Sequence, residues 1–120
     1  MMEYLNYLLL VLIIFFFVQR LLPTKGVRQI TVANLKMELN DPNKQYIDVR
    51  TTGEFKANNI KGFKNIPLHQ LVQKIGELSK EREVIIICQS GMRSNKASKL
   101  LKKQGFNQVT NVKGGMSAWT

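Results

Sequence analysis

The side chains best equipped for chemistry lie in one short stretch, Cys88-Gln-Ser-Gly-Met-Arg93-Ser94. Cys88 is the only cysteine, and it follows Val84-Ile-Ile-Ile87, a β-branched run of the kind buried on both faces of a parallel sheet. Ser94 to Gln104 then shows helical spacing, with Ala97, Leu100 and Leu101 as its apolar side. The pattern predicts a thiol at the carboxyl end of a central strand, where open α/β sheets bind ligands. Backbone N–H groups at the start of the next helix favour an anion, through hydrogen bonds and the positive end of the helix dipole. With Arg93 nearby, they favour the thiolate, which is the nucleophilic form of cysteine. Gly91 tolerates the positive φ that a tightly converging loop demands. An isolated cysteine is as readily a small buried hydrophobe. The strand, glycine, arginine and helix around this one argue for reactivity.

The elements that must position this loop follow from periodicity. Thr31 caps a helix expected over Val32 to Leu39, and Asn40-Asp-Pro-Asn43 reads as a turn. Strands are expected at Tyr46 to Val49, Phe63 to Ile66, Val84 to Ile87 and Val109 to Val112. Gly53 to Asn58 suits one or two helical turns. Leu68, Leu71, Val72, Ile75 and Leu78 recur at helical spacing and predict an amphipathic helix. Strands alternating with helices imply an α/β fold with a central, mainly parallel sheet flanked by helices. That domain is placed at residues 30–120.

Four pieces in register now resemble a rhodanese homology domain: Asp48-Val-Arg50 with Glu54-Phe55, Asn65-Ile-Pro67-Leu68, the Cys88 to Arg93 loop, and Gly114-Gly115 with Trp119. The resemblance implies a sulfurtransferase. Cys88 would take a sulfane sulfur from a donor such as thiosulfate, hold it as a persulfide, and pass it to cyanide or a thiol. Gln89, Ser90, Gly91, Met92, Arg93 and Ser94 would form the substrate cradle. Their backbone N–H groups would stabilise the anionic outer sulfur, much as an oxyanion hole does. Asp48, Arg50 and Glu54 are read as supporting residues, with Arg50 and Glu54 four apart and able to pair across a turn. Many family members read Gly-His-Ile-Pro-Gly-Ala where this chain has Asn58-Asn-Ile-Lys-Gly-Phe63, so the conformation of that turn is not implied. Related phosphatases and arsenate reductases carry one more residue between cysteine and arginine. The four residues between Cys88 and Arg93 suit a sulfur-sized cradle. A non-turnover persulfide relay, or a module that docks a partner at a membrane, is the alternative.

Other classes find little support. One cysteine and one histidine cannot supply a usual zinc set, no nucleotide-type glycine motif is present, and there is no resolving cysteine. No cofactor is implied. His69 reads as a surface residue. The net charge of +10 is spread along the chain without interleaved aromatics, which argues against nucleic acid. Lys96, Lys99, Lys102 and Lys103 would stripe one helix face, either solvated or facing anionic lipid.

The N-terminal end is different. Leu8 to Val18 is an unbroken run of eleven Leu, Val, Ile and Phe residues. Each favours membrane insertion by about 0.3–0.6 kcal/mol at a helix centre. Residues 1–22 are read as one transmembrane helix, long enough if Arg20 snorkels to the interface, and 23–29 as a linker broken at Pro23. A cleaved signal peptide is disfavoured by Met1-Met2-Glu3 and the lack of a small-residue cleavage site. Arg20, Lys25 and Arg28 follow the apolar run while only Glu3 precedes it, so the domain is expected to face the cytoplasm. A lone cysteine suits that compartment. The expected partners are thus a small sulfur donor, a thiol acceptor and the membrane; the sequence singles out no protein partner.

Overall fold

Why the sheet forms is clearest at its centre. In the computed structural model, which describes residues 2–21 and 26–119 (backbone alone for 2, 20 and 21), Val84–Ile87 is the strand β4 and is buried throughout. Burying each of these side chains stabilises the fold by about 2 kcal/mol. Val84, Ile86 and Cys88 face one core layer, Ile85 and Ile87 the other, as the two-residue period of a strand requires. The neighbours are β2 (Gln45–Asp48) and β5 (Val109–Val112), with β1 (Arg28–Ile30) and β3 (Lys64–Asn65) at the edges. All pairings are parallel, in the order β1-β5-β4-β2-β3. β1 takes in Arg28 and Gln29, residues read as linker from the sequence.

Helices cover both faces. α2 (Val32–Glu38) and α3 (Thr52–Ala57) lie on the Ile85 side, α4 (Leu71–Lys74) and α5 (Met92–Lys103) on the Ile86 side. α2 and α3 each begin with a reciprocal capping box, Thr31 with Asn34 and Thr51 with Glu54. Such a cap stabilises a short helix by about 1 kcal/mol. Two expectations need correction. The amphipathic segment from Leu68 to Leu78 is not one helix: 3-10 turns at Leu68–Gln70 and Ile75–Glu77 flank the single turn of α4. Pro67 starts it without a side-chain cap and Gly76 weakens its end, so packing of Leu68, Leu71, Ile75 and Leu78 on the core dictates tighter turns. α5 starts at Met92, two residues earlier than the helical pattern suggested, because Gly91 at φ +106 supplies the left-handed turn into it.

α1 (Met2–Leu21) joins neither core layer. Its large apolar side chains from Tyr4 to Val18 are 45–80% exposed. Among the described residues, however, no helix is long and apolar enough to cross a membrane. The expected full transmembrane span over 1–22 is therefore not found. Length is the physical reason: the apolar stretch rises only about 22 Å, against a hydrocarbon core of about 30 Å. Of the expected linker over 23–29, residues 23–25 lie outside the described residues, as does the Arg20 side chain meant to snorkel.

Candidate active site

Cys88 is the first residue after β4, fully buried, and the loop from it to α5 is only Cys88-Gln-Ser-Gly91. The Gly91 N–H donates to Cys88 Sγ at 3.0 Å. The Cys88 thiol lies 3.3 Å from Ser94 Oγ, to which it donates, while the Ser94 hydroxyl donates to the Gly91 carbonyl at 3.1 Å. Ser94 is itself buried, and Ser98 Oγ donates to its carbonyl at 2.7 Å. A thiolate at Cys88 would find a peptide N–H already aimed at it and a hydroxyl free to turn toward it. α5 begins directly after Gly91, so its first-turn N–H groups, which lack intrahelical acceptors, adjoin the loop.

The side chains of the other cradle residues differ in burial and partners. Met92 is 74% exposed and Ser90 is exposed. Gln89 turns its side chain sideways: Arg50 Nη1 donates to its Oε1 at 3.4 Å, and its Nε2 donates to Ser117 Oγ at 3.3 Å. Arg93 makes its hydrogen bonds to Glu54. Its two guanidinium nitrogens donate to both oxygens of Glu54, at 2.6 and 2.9 Å. That contact, helped by the Thr51 N–H, holds the Glu54 carboxyl down at about 2.

The suggested Arg50–Glu54 pair is thus absent, and each residue has another partner. Arg50 Nη2 lies 2.8 Å from Asp48 Oδ2, its Nε 3.1 Å from both Asp48 oxygens, and its backbone N–H donates to Oδ1 at 2.9 Å. Both side chains are buried, 3% and 1% exposed. Arg50 also donates to the Asn58 carbonyl. This ties down the turn where the chain departs from the family pattern, with Gly62 at φ +101 and the Phe63 N–H donating to Ile60 at 3.1 Å. An (i, i+4) spacing promised contact only if both residues were helical, but Arg50 precedes α3. His69 is exposed on the Leu68–Gln70 turn, its Nε2 3.4 Å from Gln70 Nε2. No group of three metal-ligating side chains occurs among the described residues.

Residues outside the expected set also touch the loop. Asn65 Nδ2 donates to the Asp48 and Arg50 carbonyls at 3.0 Å each, bracing the end of β2. Met116 and Ser117, in the 3-10 turn Gly115–Ala118, donate their N–H groups to the Cys88 and Gln89 carbonyls. Backbone contacts of this sort leave no residue-type signal; the one sign the sequence carries is the glycine pair before them, since a Cβ on Gly115 would meet the Cys88 carbonyl.

A parallel α/β sheet with a buried cysteine at its central carboxyl end, cradled by a short loop and a helix start, defines the class. Residues 31–120 match the model of the Rhodanese-like domain, and the chain belongs to that family. A putative sulfurtransferase, YtwF of Bacillus subtilis (strain 168), is 38% identical over 94 residues, 78% of this chain and 90% of its own length. The thiosulfate sulfurtransferase GlpE of Shewanella oneidensis is 33% identical over 75 residues, 62% of this chain and 74% of its own. The crystal structure of a rhodanese-like domain protein from Staphylococcus aureus superimposes with a TM-score of 0.72 at 33% identity, covering 78% of this chain and 92% of that one. The match spans only 60% and 52% of the length of two further curated relatives.

Proposed function

We propose that this chain is a sulfurtransferase of the rhodanese type, working through a persulfide on Cys88. The Cys88 thiolate attacks the outer sulfur of a donor such as thiosulfate. The donor's S–S bond breaks, and sulfite leaves with the bonding electrons. An acceptor thiolate or cyanide then attacks the outer sulfur of the persulfide, and Cys88 departs as the thiolate. The observation that carries this reading is the Gly91 N–H on Sγ at 3.0 Å, in a loop with four residues between Cys88 and Arg93. Preorganised backbone donors of this kind stabilise a developing anion without reorganisation. Arg93 contributes positive charge at the end of the loop, held in place by Glu54. Intact mass after incubation with thiosulfate should show one added sulfur, absent in Cys88→Ser. That variant should fold normally and lose transfer to cyanide; retained turnover would sink the assignment. A relay that holds persulfide for a partner without free turnover would take up the sulfur yet release none to cyanide.

α1 holds the domain at a membrane in this reading. Its exposed apolar side chains join neither core layer, so the run from Leu8 to Val18 would bury itself in the bilayer with the polar residues of α1 at the interface. The basic residues after it favour a cytoplasmic domain. Carbonate-washed membranes should retain the full chain, and external protease should spare the domain until the membrane is opened. A chain recovered in the soluble fraction would remove the anchor.

A further inference from the structure

The peptides proposed to hold the anionic sulfur are themselves held from behind. Met116 N–H donates to the Cys88 carbonyl at 2.8 Å, and Ser117 N–H donates to the Gln89 carbonyl at 2.9 Å. In a trans peptide the C=O and N–H point in opposite directions, and no cis peptide occurs among the described residues. Tying back the Cys88 carbonyl therefore aims the Gln89 N–H away from the terminal turn, and tying back the Gln89 carbonyl does the same for Ser90. The Gly91 N–H, next in line, already meets Sγ. The fit of the turn against the loop is close: a Cβ on Gly115 would lie 2.1 Å from the Cys88 carbonyl oxygen and 2.9 Å from its carbon. Gly115 also stands at φ +54, which a side chain rarely adopts. The Gln89 side chain, bridging Arg50 and Ser117, adds a lateral stay.

We propose that the turn from Gly114 to Ser117 is a positioning element of the sulfur site, setting the Gln89 and Ser90 N–H groups on the outer sulfur of the Cys88 persulfide. The proposal rests on the sulfurtransferase reading and assigns a catalytic purpose to residues that touch neither substrate nor thiol. Amide NMR on the full 15N-labelled chain in detergent, titrated with thiosulfate, tests it directly. The Gln89, Ser90 and Gly91 amide protons should move as Cys88 gains sulfur, while those of Met116 and Ser117 stay fixed. A fully sulfurated chain whose Gln89 and Ser90 amides do not move overturns this inference alone. A chain that takes up no sulfur overturns the sulfurtransferase reading and this inference with it. Kinetics give a second measurement. Gly115→Ala should lower kcat about tenfold while KM for thiosulfate stays within about twofold, since the donors act on developing charge. A folded Gly115→Ala with unchanged kcat would overturn the proposal, and the native spectrum decides it should that variant not fold.

Discussion

The two ends of the parallel sheet use charge differently. At the amino end, Arg28 bridges Glu38 and Glu83 at 2.6 and 2.9 Å, and Lys44 joins both. The network is part-exposed and shared, so no single contact is indispensable. At the carboxyl end, each charge has one committed partner: Arg50 takes Asp48, and Arg93 takes Glu54. Shared surface networks tolerate loss because water replaces a missing member. A buried pair does not, because losing one partner strands the other in low dielectric. The end that carries Cys88 has therefore given up redundancy for fixed geometry.

The buried pair should break the comparison open most widely. Asp48→Ala leaves the Arg50 guanidinium buried without its carboxylate and should cost about 3–5 kcal/mol, read by urea denaturation. A loss below about 1 kcal/mol would mean that water reaches Arg50 and that the two ends do not differ.

Next in size is the pair beside the loop. Arg93→Ala should cut kcat/KM about 10–100-fold with a modest stability change, whereas His69→Ala should stay within about twofold. Near-complete loss in the His69 variant alone would misplace the site. The same pair has a pH signature. The Glu54 carboxyl is depressed to about 2, so its stabilising contribution is full above its ordinary value of 4.5 and fades as pH falls toward 2. The stability gap between the native chain and Glu54→Gln should shrink over that window. A gap that widens instead would show that the ion pair is not what Glu54 contributes.

Smallest is the amino end. Glu38→Gln should cost at most about 1 kcal/mol and leave sulfur transfer unchanged, because Glu83 still faces Arg28 and Lys44. Arg28 and then Lys44 hold the Glu38 carboxyl below its usual range, so even this loss should fade in acid. An activity loss in Glu38→Gln would show the two ends to be coupled.

Much of the molecule was legible in local pattern. A β-branched run is a buried parallel strand whatever surrounds it, and β4 and β5 lie where their sequences placed them. Thr31 capped its helix because a cap is a contact between residues three apart. The position of Cys88 at the carboxyl end of β4 follows from chain order alone. Long-range partners were a different matter. Spacing pairs Glu54 with Arg50, four residues back, whereas the close approach of α3 to the start of α5 gives it to Arg93, 39 residues on. The broken helix after Pro67 likewise obeys its packing against the core rather than its periodicity. The backing of the loop by Met116 and Ser117 is made by backbone N–H groups, which every residue except proline carries. Sequence determined which residues could react, since that is a property of side-chain chemistry and local spacing. Tertiary structure alone decided which groups face one another across the sheet's carboxyl end, because those contacts join segments that chain order leaves far apart.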